Sequence, residues 1–253
     1  MQLENKVVFI TGAASGIGRE CGLACAREGA LVAIADIDLA QARKTAAEIG
    51  DAAIAIACDV SDAASVELAV ATAIERFGRI DALHNNAGLS TPSKTLEETS
   101  EAEWDRIMSV NLKGVFWTTR AALPALKLSK GTILNTASMV GTIGQANHAA
   151  YVASKGALIA LTKAMALDYA RFGIRVNAIS PAGVWTPMLE QWAAEQPGPG
   201  AIRSYLDRIH ALGYCPQGDV VAGAAVFLLS DQSRFITGCV LPVSGGAELG
   251  YRQ

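Results

Sequence analysis

Tyr151 and Lys155 stand four positions apart in the segment YVASK and are the first residues in this sequence that could do chemistry together. On a helix they share one face, one turn apart. A phenol is a weak base at neutral pH because its ordinary pKa is about 10, and lowering that pKa to about 7 needs roughly 4 kcal/mol. An ammonium about 4 to 5 Å away supplies roughly 3 to 4 kcal/mol at an effective dielectric constant near 20. The spacing therefore predicts a tyrosine general base whose pKa Lys155 lowers, although a surface lysine beside a half-buried tyrosine shows the same spacing.

A glycine-rich segment near the N-terminus predicts dinucleotide binding. Residues 7–20 read VVFITGAASGIGRE, which indicates a strand, a turn and the start of a helix. Gly12 can make the tight turn, Gly16 lets the backbone approach a pyrophosphate, and Gly18 allows close packing of helix on strand. Free N–H groups at the helix start bind negative charge. The predicted cofactor contacts here are Gly12, Ser15, Gly16, Ile17 and Gly18.

Asp36 is predicted to select the form of the cofactor. It closes the second predicted strand, LVAIAD, eighteen residues after Gly18. A carboxylate there accepts hydrogen bonds from the adenosine ribose 2′-hydroxyl and repels a 2′-phosphate, so NAD is expected rather than NADP. Capping of the next helix is the alternative role, for which Asp38 is the better candidate.

The sequence HNNAG at 84–88 follows the fourth predicted strand. Small and amide residues at the carboxyl end of a strand line the crevice where doubly wound sheets bind ligands. Asn86, Ala87 and Gly88 are therefore predicted cofactor contacts. An asparagine-rich turn without a ligand is the alternative.

These residues need a scaffold, and the pattern of the chain predicts an α/β fold. Short β-branched runs alternate with amphipathic segments, which indicates βαβ units with right-handed crossovers. We expect a single Rossmann-type, doubly wound, seven-stranded parallel sheet with helices on both faces. Ser61 and Ser100 are predicted N-caps, the second in a capping box with Glu103. The predicted strands lie near 6–11, 30–35, 53–58, 80–85, 131–137, 174–180 and 238–243.

A long segment from Pro181 to about Gly218 shows no regular pattern and contains QPGPG. Loops of this length in compact domains are usually functional or mobile. We therefore predict a substrate lid over about 182–218. No linker divides the chain, so residues 1–253 are expected to form a single NAD-binding domain.

Composition excludes several classes of protein. The 253 residues carry a formal net charge of -3, and no cluster of Lys and Arg suggests nucleic-acid binding. The five cysteines are odd in number and lie mostly in apolar runs, as expected of reduced thiols in a cytoplasmic protein. Cys21 and Cys25 share a helix face, but no third ligand joins them, so no metal is expected. We expect neither a signal peptide nor a membrane span.

Several motifs together carry a resemblance to a known family. TGAASGIG, NNAG, Asn111, Ser138, YVASK and SPAGVWTP at 180–187 occur in one order and spacing. The order and spacing of these motifs resemble those of the short-chain dehydrogenase/reductase family. The resemblance runs from the first strand to VSGG near the end. The glycine turn alone would be a weak signal, whereas the whole set is very specific.

The resemblance implies roles at the matching positions of the reaction centre. Tyr151 would be the general acid/base, and Ser138 would hold and polarise the substrate oxygen. Lys155 would lower the tyrosine pKa and bind the hydroxyls of the nicotinamide ribose. Asn111 would bend its helix and hold a water in a proton relay.

The resemblance also implies further cofactor contacts. Asp59 and Val60 match the pair that contacts adenine, and Val184 and Thr186 match the residues that fix the carboxamide side of nicotinamide. The chain departs from the family in having Ala182 where glycine is usual and VSGG in place of VDGG. Neither change removes a chemical group.

A mostly apolar substrate pocket is predicted around the reaction centre. Ser138 and Tyr151 would contact the reacting oxygen, and Gln145, His148 and Trp185 are the further candidates. Packing of the lid or of a subunit interface is the alternative role for the aromatic residues. By resemblance the protein is expected to be a homotetramer, with helices near 100–125 and 151–172 between subunits.

The leading hypothesis is an NAD-dependent enzyme that interconverts a mid-sized, mostly apolar secondary alcohol and its ketone. One alternative is a 3-oxoacyl-thioester reductase of the same family, which would normally need NADPH and a basic surface for its carrier protein; Asp36 and the acidic pI argue against it. A second alternative is a non-catalytic nucleotide-sensing module on the same fold.

Overall fold

Seven parallel strands form the centre of the protein. The computed structural model describes residues 1–90, 92–196 and 198–250. The strand order is β3-β2-β1-β4-β5-β6-β7, and every neighbouring pair is parallel. The predicted fold class is confirmed, and the order reverses direction between β1 and β4. The strands are β1 Val7–Thr11, β2 Leu31–Asp36, β3 Ala53–Ala57, β4 Ala82–Asn85, β5 Thr132–Thr136, β6 Arg175–Pro181 and β7 Val240–Val243.

Helices cover both faces of the sheet because the strands are apolar on both sides. On one face α1, α2 and α10 pack over buried residues such as Val8 and Ile34. On the other face α3, α5 and α7 pack over buried residues such as Phe9 and Ile133. The helices are α1 Gly16–Arg27, α2 Leu39–Ile49, α3 Ala63–Phe77, α4 Glu101–Met108, α5 Gly114–Ser129, α6 Val140–Ile143, α7 Ala149–Ala170, α8 Pro187–Glu195, α9 Pro199–Ile209 and α10 Asp219–Leu229.

The first residues of α2, α3 and α4 show which of the predicted N-caps are correct. Ser100 caps α4 in a full capping box with Glu103, as predicted. Asp38 caps α2 by accepting from the Gln41 backbone N–H. The prediction of Ser61 as a cap is wrong, because α3 begins one residue later and Asp62 accepts from the Ala64 backbone N–H. A carboxylate is as good an N-cap as a hydroxyl, so the helix start shifts by one residue.

The segment predicted to be irregular contains two helices, α8 and α9. Thr186 caps α8, and Pro187 takes the first helical position, where the missing N–H costs nothing. Helix α9 likewise begins at a proline, Pro199, within the sequence QPGPG, whose Pro197 lies outside the described residues. The glycine and proline residues therefore separate two helices rather than making one long loop.

Helix α7 is long and apolar enough to cross a membrane by length and composition alone, although the sequence predicted no such span. The core helix of a globular protein passes the same test. Helix α7 packs on β6 and α6 and buries the charged side chain of Lys155. We therefore interpret it as a core helix of this fold.

The cysteines are free thiols, and four of the five are buried, as predicted. Among the described residues, no three side chains of the His, Cys, Asp and Glu types gather where they could hold a metal ion.

Candidate active site

One cavity of ≈ 890 Å³ opens at the carboxyl ends of the strands, beside the point where the strand order reverses. Doubly wound sheets bind their ligands at this position. Most of the predicted site residues line it. Those are Gly12, Ser15, Gly16, Ile17, Asp36, Asp59, Val60, Asn86, Ala87, Gly88, Ser138, Gln145, His148, Tyr151, Lys155, Val184 and Thr186.

Three predicted site residues are not among the residues that line this cavity: Gly18, Asn111 and Trp185. Gly18 packs against the Gly12 carbonyl, and Asn111 bonds to Leu89 and Ser154, so both hold neighbouring parts of the site in place. The indole of Trp185 instead lies against the guanidinium of Arg203, 4.6 Å from ring centre to Cζ. A direct contact between Trp185 and substrate, as predicted, is therefore not supported by its position.

The turn between β1 and α1 leaves room only for glycine at three positions. Gly12 and Gly16 have φ angles of +62° and +56°, which side chains rarely adopt. A Cβ atom on Gly18 would lie 2.2 Å from the Gly12 carbonyl oxygen. Among the described residues, no side chain caps α1 at Ser15. The first N–H groups of α1 consequently remain available to a phosphate at the cavity.

The Asp36 carboxylate is held at the end of β2 by two backbone groups. Its Oδ2 accepts from the Ala14 N–H at 2.9 Å, and its Oδ1 accepts from the Asp38 N–H at 3.0 Å. These bonds fix the orientation of the carboxylate, and each oxygen keeps a further lone pair. A rigid acceptor therefore faces the cavity where the adenosine ribose of a dinucleotide would lie.

Tyr151 lies in the first turn of α7, beside Ser138 at the end of β5. Burial raises the pKa of Tyr151 above its ordinary value, and a hydrogen bond with Ser138 opposes that rise. The ammonium of Lys155 stands 5.8 Å from the centre of the phenol ring. Desolvation of the phenolate therefore outweighs its stabilisation by Ser138, so the net shift of this pKa is upward rather than downward. The predicted lowering of the pKa by Lys155 stays a prediction.

Lys155 is 4% exposed, and its ammonium is held in place. Its Nζ donates to the Thr136 carbonyl at 2.7 Å, at the end of β5. Burial lowers the pKa of Lys155 to about 8. Lys155 also lines the cavity, and near neutral pH it stays mostly protonated.

Asn111 lies in a one-turn π-helix, Ser109–Lys113, between α4 and α5. Its Oδ1 accepts from the Leu89 N–H at 2.7 Å, and its Nδ2 donates to the Leu89 carbonyl and to Ser154 Oγ. The side chain therefore ties the loop after β4 to α7. The predicted bend in its helix and the predicted proton-relay role both stay predictions.

Asn86 joins the glycine turn to the end of β4. Its Nδ2 donates to the carbonyls of Thr11 and Gly12, at 3.1 and 2.9 Å. The Thr11 hydroxyl oxygen in turn accepts from the backbone N–H groups of Asn86 and Ala87. This bonding holds the two sequence-predicted loops against each other.

His148 lines the substrate end of the cavity, but its ring nitrogens have protein partners. Its Nε2 accepts from the indole Nε1 of Trp192 at 3.1 Å, and its Nδ1 lies 2.9 Å from the Ala146 carbonyl oxygen. Ser93 Oγ also accepts from the Trp192 indole, at 3.2 Å. His148 therefore reaches the cavity with its ring nitrogens already engaged.

Sequence reasoning missed several residues that shape the site. Thr136 holds Lys155 through its carbonyl, and any residue type could supply that group, so no sequence signal exists for it. Ser93 lies in a loop without a motif. Arg106 also lines the cavity, from α4, although it looks like an ordinary surface residue of an amphipathic helix.

Comparisons with known proteins agree with this geometry. A family model described as enoyl-(acyl carrier protein) reductase matches residues 12–248. The chain is 44% identical over 246 residues to an L-fucose dehydrogenase of Bos taurus, covering 97% of this chain and 90% of the relative. It is 41% identical to a meso-2,3-butanediol dehydrogenase of Serratia marcescens, covering 98% and 96%.

Among solved structures, a 3-ketoacyl-(acyl-carrier-protein) reductase from Brucella melitensis complexed with NADH superposes with a TM-score of 0.91, at 39% identity over 97% of this chain and 99% of that one. The glycine turn, the buried lysine and the tyrosine lie in one cavity of the matching fold. The chain therefore belongs to the short-chain dehydrogenase/reductase family, as an oxidoreductase that interconverts an alcohol and a ketone with a nicotinamide cofactor.

Proposed function

We propose that the protein is an NAD-dependent dehydrogenase of a mid-sized, mostly apolar secondary alcohol. The observation that carries this proposal is the placement of Tyr151, Ser138 and Lys155 in the cavity that also contains the glycine turn. A nicotinamide cofactor bound there would accept or supply the hydride.

Residues of the chain would bind the substrate oxygen, transfer the proton and supply a positive charge. Ser138 hydrogen-bonds the substrate oxygen and brings it to the Tyr151 hydroxyl. Tyr151 takes the alcohol proton during oxidation and returns it to the ketone oxygen during reduction. Lys155, fixed by its bond to the Thr136 carbonyl, places a positive charge beside that proton transfer and beside the ribose hydroxyls.

The raised pKa of Tyr151 gives the two directions different pH dependences. Below this pKa the phenol carries its proton and is ready to donate to a ketone oxygen. Alcohol oxidation needs the phenolate, whose fraction grows with pH. Oxidation is therefore expected to speed up above pH 7, until Lys155, whose pKa is about 8, loses its charge. Ketone reduction should change little through Tyr151 up to about pH 10, because the phenol remains the major form below its raised pKa.

The preference for NAD over NADP is proposed from Asp36. The carboxylate is oriented by two backbone N–H groups and lines the cavity beside Ile37. It would accept from a ribose 2′-hydroxyl and repel a 2′-phosphate. The Brucella melitensis structure, which is complexed with NADH, has the same fold and supports this assignment.

The substrate class is proposed from the lining of the remaining cavity. Val140, Met188 and Leu189 are apolar, and the ring nitrogens of His148 are already engaged. Gln145, which is exposed and lines the cavity, is a polar side chain available to a second oxygen of the substrate. A cyclic or branched secondary alcohol fits such a lining better than a highly charged substrate.

The experiment is NADH formation with a panel of linear, branched and cyclic secondary alcohols, run in parallel with NADP. Tyr151→Phe should bind NADH but lose turnover by about 100-fold to 10,000-fold, the range for loss of a general acid/base. Tyr169→Phe, near the opposite end of α7, is the matched control and should retain turnover. Near-full turnover in Tyr151→Phe would refute the proposed role.

A homotetramer is proposed from the outer faces of α5 and α7. Phe116 is 50% exposed and Leu167 is 81% exposed, although both are large apolar side chains. Subunit contacts would remove them from water. Sedimentation equilibrium tests this assembly, and a monomer at micromolar concentration would contradict it.

A further inference from the structure

His84 is a fully buried histidine on β4 that the reaction does not use. Its side chain is 0% exposed and stands in sheet register with Ile10 and Leu134, which are also buried. Its Nε2 lies 2.9 Å from the Thr136 Oγ1, while its Nδ1 has no hydrogen-bond partner among the described residues. A buried polar group with half its bonding capacity unused is costly, so its placement calls for a function.

The neighbouring bonds fix where each proton lies. The Asn86 amide nitrogen donates to the carbonyls of Thr11 and Gly12, so its Oδ1 faces Thr136 as an acceptor. The Thr136 hydroxyl has one proton, and it donates that proton to Asn86 Oδ1 at 3.2 Å. His84 must therefore donate from Nε2–H to Thr136, and the unpartnered Nδ1 is a lone pair.

Burial keeps this imidazole neutral. Desolvation lowers the pKa of His84 to about 3, because a second ring proton would place an unpaired charge between apolar side chains. The imidazole is therefore neutral throughout the neutral pH range, and the donor direction does not change there.

Thr136 is the point where two parts of the cofactor site meet. Its carbonyl accepts from the ammonium of Lys155 at 2.7 Å. Its hydroxyl donates to Asn86, which in turn holds the carbonyls of the glycine turn. A rotation of the Thr136 side chain would remove the bond that orients the Asn86 amide toward that turn, while leaving the lysine bond in place.

We propose that His84 is a positioning residue for the cofactor site: by donating to Thr136 Oγ1 it directs the threonine proton to Asn86 and so locks the glycine turn in its binding geometry. This inference rests on the proposed dinucleotide binding but not on the alcohol substrate. It predicts a specific tautomer and a specific effect on binding.

The tautomer is tested on the unaltered protein by long-range ¹⁵N–¹H NMR of the histidine rings. We expect His84 to show the Nε2–H tautomer without titration between pH 5.5 and 8.5. A proton on Nδ1, or a ring that titrates in this range, would overturn the proposal. The measurement needs neither substrate nor cofactor.

The binding effect is tested by fluorescence titration with NADH. His84→Leu keeps the volume but removes the donor, and it should weaken NADH binding about fivefold, the factor that corresponds to roughly 1 kcal/mol. His84→Gln can donate from its amide nitrogen and should bind within about twofold of the unaltered protein. Equal NADH affinity in His84→Leu, or equal weakening in both variants, would contradict a donor role.

Thr132→Val provides a control for the loss of a threonine hydrogen bond on the same strand. Thr132 lies at the other end of β5, where its hydroxyl donates to the Arg175 carbonyl at 3.3 Å. This variant should lose stability without losing NADH affinity. NADH titration does not depend on finding a substrate, so failure of the alcohol panel and failure of this inference remain distinguishable. If His84→Leu does not fold, the NMR tautomer decides.

Discussion

The indole Nε1 of Trp192 donates to the imidazole Nε2 of His148 across 3.1 Å, and this bond joins α8 to the start of α7. The two rings stand 6.2 Å apart between centres, and both line the cavity. Ser93, in the loop after β4, accepts from the same indole. Three separate parts of the chain thus meet at one end of the proposed substrate pocket.

The rings of Trp192 and His148 are expected to limit the size of the substrate. Trp192→Ala removes a large ring from the pocket wall, so activity should move toward longer or bulkier alcohols by about 10-fold or more in relative kcat/KM. Trp192→Phe keeps most of the ring but loses the indole N–H, so the size limit should change little. Steady-state kinetics on a series of 2-alkanols of increasing length measures the shift.

Trp185→Phe is the control for Trp192, because Trp185 lies on Arg203 and is not among the residues that line the cavity. Its chain-length profile should match that of the unaltered enzyme. An unchanged profile in Trp192→Ala would show that another part of the cavity sets the size limit.

Substitution by alanine should have opposite effects at Gly18 and Gly223. Gly18→Ala places a Cβ 2.2 Å from the Gly12 carbonyl oxygen, so the turn must open and NADH binding should be lost. Gly223 is exposed in the middle of α10, where an added Cβ would meet no atom within 4 Å. Gly223→Ala should therefore stabilise the protein by about 0.5–1 kcal/mol through helix propensity. Urea unfolding and NADH titration of both variants check the contrast.

The parts of the site that were predictable from the sequence are those that require a particular residue type. Gly12 and Gly16 adopt positive φ, and Asp36 closes a strand, so residue type and position carry the signal. The same holds for Tyr151 and Lys155, whose helical spacing places them on one face.

What could not be predicted depends on tertiary surroundings. The pKa of Tyr151 rises because of burial, which the spacing to Lys155 does not report. The engagement of His148 by Trp192 joins residues 44 positions apart. The segment after β6 looked irregular because prolines that begin helices were interpreted as loop residues.

Asp36→Asn should relax the preference between the two cofactors. The asparagine keeps an acceptor oxygen but removes the charge that would repel a 2′-phosphate, so the ratio of kcat/KM for NAD to that for NADP should fall about 10-fold or more. Asp38→Ala is the control, since it removes the α2 cap at about 1 kcal/mol of stability without altering a cavity residue. An unchanged ratio in Asp36→Asn would contradict the selection of NAD by this charge.

Alkaline pH should destabilise the protein through its buried thiols. An unfolded thiol ionises near pH 8.5, whereas burial raises the pKa of Cys25 in the folded protein to about 12. Between these values the unfolded state holds one proton fewer, so each such thiol lowers the free energy of unfolding by about 1.4 kcal/mol per pH unit. Lys155 acts in the opposite sense, because its folded pKa is lowered to about 8 and the unfolded lysine keeps its proton longer. The thiols whose pKa burial raises outnumber Lys155: they are Cys21, Cys25, Cys58 and Cys215.

Urea unfolding at pH 8, 9 and 10 measures this slope. Cys25→Ala should make it shallower by about 1.4 kcal/mol per pH unit above pH 9, because one proton difference is removed. Val66→Ala truncates a buried side chain without a titrating group, so it should lower stability equally at each pH and leave the slope unchanged. An equal slope in Cys25→Ala and in the unaltered protein would mean that this thiol has the same pKa in the folded and unfolded chains. The burial of Cys25 would then have no part in the alkaline loss of stability.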